Sequence, residues 1–206
     1  MKKLYILLFF WLACTSLYAQ DFTKQTEQFR QKYKQDFIKT ANSPLKKEDL
    51  KFLQFYNPDS TFQVPATFTR SRNTQSFEMP TYSGMKKTFV KYGLIKFRLY
   101  GKRQTLTVYR SLSLQTLPQY RDYLFLPFKD KTSGNDTYGG GRYIDLKTSD
   151  VKDGKFMLDF NKAYNPYCAY SDGYNCPIPP KVNQMSVEIA AGEKNFGKEH
   201  QELSTK

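Results

Sequence analysis

The sequence predicts a mainly β domain of the α+β class: an antiparallel β-sandwich or barrel with N-terminal helices packed on it. Two patterns carry that prediction. Between residues 61 and 190, short runs alternate apolar and polar residues with no helical segments between them. Ahead of these runs, aromatic residues recur at helical spacing. A chain of 206 residues, 39% hydrophobic and 25% charged, suits one well-buried core rather than a disordered polymer.

The first element is "MKKLYILLFFWLACTSLYAQD". Lys2 and Lys3 precede an uncharged run of 16 residues, Leu4 to Ala19. That is short of the ~18–20 residues a membrane span needs, and it ends on a small residue before polar sequence. Residues 1–19 therefore read as an export signal cut between Ala19 and Gln20, which places the protein in the periplasm or at the cell surface. The alternative is a lipoprotein anchored at Cys14, although Trp11 stands where a leucine-like residue is usual. No later stretch is apolar enough for a transmembrane span. The mature chain, 20–206, reads as a single domain with a helical lead-in (20–60), an antiparallel β core (61–190) and a polar tail (191–206).

In the lead-in, Phe22, Phe29, Tyr33 and Phe37 fall on one helical face, which is expected to pack against the rest of the domain. Asn42-Ser43-Pro44 stops that helix, and "KKEDLKFL" can start a second short one. Strands follow. Ile95, Phe97 and Leu99 alternate with Lys96 and Arg98. "GK" at 101–102 turns the chain into a partner strand carrying Leu106 and Val108. Further strand candidates are 61–70, 88–92, 123–128, 142–146, 155–160 and 185–190.

The formal charge of +13 is unevenly placed, because residues 61–121 hold eleven Lys or Arg against Glu78 alone. Lys96, Arg98 and Arg103 are expected to share an outward face that attracts polyanions. Export argues against nucleic acid. An anionic envelope component or an acidic protein is the expected partner, with a solvated face lacking any ligand as the alternative.

Several chemistries find little support. The one histidine, His200, sits in the polar tail, which removes His-assisted nucleophilic catalysis and His-based zinc sites. Gly139, Gly140 and Gly141 lead into a strand without a following Lys-Ser or Lys-Thr, so they read as a turn or close approach rather than a phosphate loop. No cofactor and no metal site are expected. The best carboxylate pair is Asp145 and Asp159. If their strands formed a hairpin with Tyr143 facing Asp159, both would share one face, as acid/base work on a glycosidic bond requires. A two-residue turn at Asp153-Gly154 would send them to opposite faces. Cys168 and Cys176, the two cysteines left after processing, favour a disulfide in an exported chain, with buried free thiols as the alternative. Pro177, Pro179 and Pro180 stiffen that loop.

The segments "PFKDKTSGNDTYGGGRYIDL", "LDFNKAYNPYCAY" and "NCPIPPKVNQMSVEIAAGE" resemble the bacterial domain-of-unknown-function family DUF1684 over about residues 127–194. The resemblance implies a bacterial source and one family domain after the signal; it implies no reaction. Residues that match the signature are Tyr138, Arg142, Asp159, Asn161, Tyr164, Asn165, Cys168 and Cys176. Arg142, Tyr143, Asn161, Tyr164 and Asn165 are the candidate ligand-binding residues. The same polar-aromatic motif can equally be a hydrogen-bonded corner of the fold. The expected function is an exported β-rich binding domain for an envelope component or small ligand, and the alternative is a hydrolase using Asp145 and Asp159.

Overall fold

The computed structural model describes residues 2–198, with side chains from Gln20 onward. His200 and the side chain of Cys14 lie outside the described residues. The chain opens with helix α1, Lys2–Lys39. Its downstream half presents Thr26, Arg30 and Phe37 fully buried, with Phe29 and Tyr33 half-buried beside them. These spacings of four, three and four trace one helical face, so the aromatic stripe does pack on the domain. Thr40 ends the helix by donating its hydroxyl to the Asp36 carbonyl. The expected second helix is a 3-10 helix, Lys47–Phe52.

Seven strands follow, all antiparallel: β1 (Gln63–Arg70), β2 (Ser76–Pro80), β3 (Lys86–Leu99), β4 (Lys102–Ser111), β5 (Tyr123–Phe128), β6 (Arg142–Lys147) and β7 (Lys155–Asp159). They form one curled half-barrel sheet in the order β6-β5-β4-β3-β1-β7, with β2 paired to the first half of β3. The two candidate runs at 88–92 and 95–99 are a single strand, kept continuous by a register shift between Lys91 and Gly93. The turn after β3 is one residue earlier than expected. Leu99 pairs Lys102, and Tyr100 and Gly101 both take positive φ (49° and 72°), the conformation of a two-residue type I′ turn.

The inner face of the half-barrel is filled by Ile95, Phe97, Leu106, Leu126, Phe128, Leu158 and Phe160. Its open side is closed by residues 185–191, where Met185, Val187, Ile189 and Ala191 enter the same core. This segment was expected to be a strand. It shows the period-two burial of one, but it joins no ladder. Its backbone instead meets single groups: Lys131 N–H donates to the Val187 carbonyl, and the Asp130 carboxylate takes the Ile189 N–H.

A second cluster holds α1 to the domain through Phe37, Leu45, Leu53, Ala169 and Tyr170. Burying a side chain the size of Phe37 contributes about 2 kcal/mol. A third cluster, Met79, Phe89, Tyr109, Phe125 and Tyr143, lies on the other face of the sheet. No helix among the described residues is long and apolar enough to cross a membrane.

Candidate functional site

Between α1, the outer end of β6 and the 164–177 loop lies a cleft of about 510 Å³. Its floor is Asp145 on β6. Asp145 Oδ1 accepts hydrogen bonds from two phenols, Tyr164 at 2.7 Å and Tyr123 at 2.8 Å. Oδ2 accepts none from the described residues. By accessible area Asp145 is exposed through the cleft mouth, yet side chains ring it closely. That crowding removes solvent and raises its pKa above the ordinary carboxylate value, while the two phenol bonds pull the other way. Burial and the facing carboxylate push both tyrosines well above the usual phenol range, so each keeps the proton it donates.

The walls are aromatic. Tyr33 and Phe37 come from α1, and Tyr143 and Tyr164 meet edge to face at 5.9 Å. Tyr167 and Tyr174 form a second edge-to-face pair at 5.2 Å. Three lysines contribute to the lining. Lys32 is paired with Asp36 at 2.7 Å, and Lys162 lies 3.8 Å from Asp159. Lys87, from the start of β3, has no ion pair among the described residues, and desolvation lowers its pKa.

Proline and the cysteine pair shape the loop. Cys168 and Cys176 stand at disulfide distance with Cα atoms 6.2 Å apart, inside the usual range for a bridge. Cys176 and Pro177 line the cleft, and the Tyr143 hydroxyl donates to the Pro177 carbonyl.

Under the cleft lies a buried polar layer. Glu193, fully buried, accepts from Tyr170 (2.6 Å), the Asn165 backbone N–H (2.8 Å) and Tyr33 (3.0 Å). Burial pushes its pKa up to about 7 against the restraint of those bonds. Beside it Arg142, with no exposed surface, donates to the carbonyls of Ile189, Ala191 and Glu193 and to Asp130 at 3.3 Å. Gly141, at φ 88°, precedes it; a Cβ there would come within 2.6 Å of the Phe128 carbonyl, so glycine is required for the entry into β6.

Of the candidate residues, Tyr143, Asp145 and Tyr164 come together in the cleft. The other four serve internal contacts. Arg142 holds residues 189–193, and the Asn165 side-chain amide donates to the Lys194 carbonyl. Asn161 clasps the Asp59 backbone at both its N–H and its carbonyl. Asp159 accepts from the Asn161 backbone and side-chain N–H groups.

The hairpin considered for Asp145 and Asp159 does not form. β6 pairs with β5, β7 pairs with β1, and the two strands end opposite edges of the sheet. Asp153 and Gly154 do make the two-residue turn, with φ of 51° and 71°, but it joins only Lys152 to Lys155.

Lys87, Tyr167 and Tyr174 line the cleft, and Tyr123 and Glu193 support it from behind, although none of the five was a candidate by sequence. Glu193 stood in the "AAGE" segment; Lys87 and Tyr123 carried no local signal, because only tertiary pairing brings β3 and β5 to the cleft. Among the described residues, no group of three or more His, Cys, Asp or Glu side chains could hold a metal ion.

A family model described as "Protein of unknown function (DUF1684)" matches residues 48–194. The solution NMR structure of an uncharacterized protein of Haloarcula marismortui is 32% identical to this chain with a TM-score of 0.66. The alignment covers 85% of this chain and 95% of that one. No curated protein matches.

Proposed function

The chain belongs to the DUF1684 family of proteins of unknown function, and from that premise we propose that it is a non-catalytic binding domain whose aromatic cleft takes a small ring-bearing ligand. The observation that carries this reading is the floor of the cleft. Asp145 is held by two phenols on one oxygen and keeps the other for an incoming donor, with aromatic faces on the walls. Such walls suit the apolar face of a sugar or similar ring, and a fixed carboxylate suits its hydroxyl or ammonium donors. Lys87 favours an anionic substituent on that ring.

The proposed setting is outside the cytoplasm, after removal of residues 1–19, with attachment through Cys14 as the alternative. A hydrolase acting through Asp145 and Asp159 gains no support, since Asp159 does not line the cleft and its carboxylate is engaged with Asn161.

The test is a saturation-transfer NMR screen of neutral and acidic mono- and disaccharides against the wild type and Asp145→Asn. At least one sugar should bind, and its affinity should fall about tenfold in the variant, the effect of one charge-assisted hydrogen bond. A ligand bound equally well by Asp145→Asn, or a panel with no binder, would count against the reading.

A further inference from the structure

The outer face of the sheet, away from the cleft, carries a trough of about 980 Å³ across β7, β1, β3 and β4. Its side chains stand in two cross-strand rows. In the first, Lys155 pairs Thr67, Thr67 pairs Lys96, and Lys96 pairs Thr105. In the second, Met157 pairs Pro65, and Arg98 directly opposes Arg103. Lys152 adds a fifth cation at one end.

All five are exposed, none has an ion-pair partner among the described residues, and no Asp or Glu lines the trough. Opposing like charges on adjacent strands destabilise a sheet. Among the described residues neither Arg98 nor Arg103 has an ion-pairing carboxylate to offset that cost, and Arg98 donates to the Gly101 carbonyl. A solvated face gains nothing from such a pair, whereas an anion between them would offset the repulsion.

We propose that this trough is a docking site for an extended anionic polysaccharide, one bearing uronate or similar carboxylates along its length. Three features select that occupant. Lys155 and Lys96 are two strand spacings apart, about 10 Å across the sheet, and Arg98 lies about 7 Å from Lys96 along β3, so the cations spread over a bent track rather than gather in a single pocket. Thr67, paired between Lys155 and Lys96, and Thr105, opposite Lys96, supply neutral hydrogen-bonding groups, the complement of sugar hydroxyls. The trough offers no exposed ring for stacking bases, since Phe156 is half-buried and packed on the core, and single-stranded nucleic acids rely on such rings. The proposal is independent of the cleft and of what the cleft binds.

The experiment measures retention of the protein on immobilised polygalacturonate at 50 and 300 mM salt. Polyphosphate, single-stranded DNA, phosphatidylglycerol vesicles and neutral dextran serve as competitors. Wild type is compared with Lys96→Gln/Arg98→Gln/Arg103→Gln and with a control of equal charge change, Lys24→Gln/Lys39→Gln/Lys47→Gln, at exposed positions elsewhere. The expected result is binding that weakens at least about tenfold with salt and about tenfold in the trough variant, while the control stays near wild type. The trough variant should also melt no lower than wild type, because its like-charge contact is gone; the single variant Lys96→Gln repeats the binding test with the arginines intact. Equal loss in the control, tighter competition by polyphosphate, DNA or vesicles than by free polygalacturonate, or no retention at 50 mM salt would each overturn the proposal.

Discussion

Replacing Glu193 by Gln should flatten the pH dependence of stability. Glu193 is fully buried, and its pKa stands at about 7 against an ordinary 4.5. A carboxyl whose folded pKa is raised holds its proton more tightly in the native state. Its stabilising contribution is therefore complete below pH 4.5 and is lost as pH rises through about 7. A gap of that size corresponds to about 3 kcal/mol. Gln cannot ionise, so this loss disappears in the variant. Gln also puts an NH₂ where one oxygen accepts from Asn165 N–H and Tyr33, at a cost of about 1–2 kcal/mol at every pH. Two effects of opposite sign then cross: wild type is the more stable at pH 4.5, and the variant matches or exceeds it above pH 8. Urea denaturation of both proteins from pH 4.5 to 9 reads this directly. Parallel pH profiles would refute a raised pKa for the buried Glu193.

Other outcomes follow from the same contacts. Reducing the Cys168–Cys176 bridge, or replacing both residues with Ser, should cost about 2–3 kcal/mol for a loop of this length, and thiol titration of the oxidised protein should find neither cysteine free. Arg142→Met should destabilise the fold by about 3–5 kcal/mol, measured by denaturant unfolding, because Asp130 is left as a buried unpaired charge and three carbonyls lose their donor. The mass of the protein recovered from its own cells should correspond to a chain beginning at Gln20; an intact Met1 would contradict export with cleavage, and a lipid on Cys14 would establish the alternative.

Much of the fold was legible in the sequence, because burial repeats with the period of the element that produces it. The stripe Phe22, Phe29, Tyr33 and Phe37 marked the packed face of α1, half-buried at its first three positions and buried at Phe37, and the alternation around Ile95–Leu99 marked the central hairpin. Strand β2 was not legible: four of its five residues are exposed, so no alternation records its pairing with β3. Residues 185–191 gave the opposite error. Their alternate side chains enter the core, yet their backbone bonds to a carboxylate and to single loop groups instead of a strand. Periodicity reports which side chain is covered and is silent about what covers it.

The same limit explains the site. Tyr143, Asp145 and Tyr164 were found because they lie in one motif-dense stretch, while Lys87 reaches the cleft, and Tyr123 reaches Asp145, only through sheet pairing. Charge counting along the chain located an excess in 61–121 but not its division in space. Lys96, Arg98 and Arg103 enter the trough, Arg70 and Arg110 stack on Tyr92, and Lys87 turns up in the cleft.

The central claim is that the Asp145 cleft is where this protein meets its ligand. Chemical-shift mapping with the tightest binder of the sugar screen tests it most directly. The expected result is that the largest shifts fall at Lys87, Tyr143, Asp145, Tyr164 and Tyr174, with little change at the trough residues Lys96, Arg98, Arg103 and Lys155. Shifts centred away from these residues, or an unchanged map with Asp145→Asn, would contradict it.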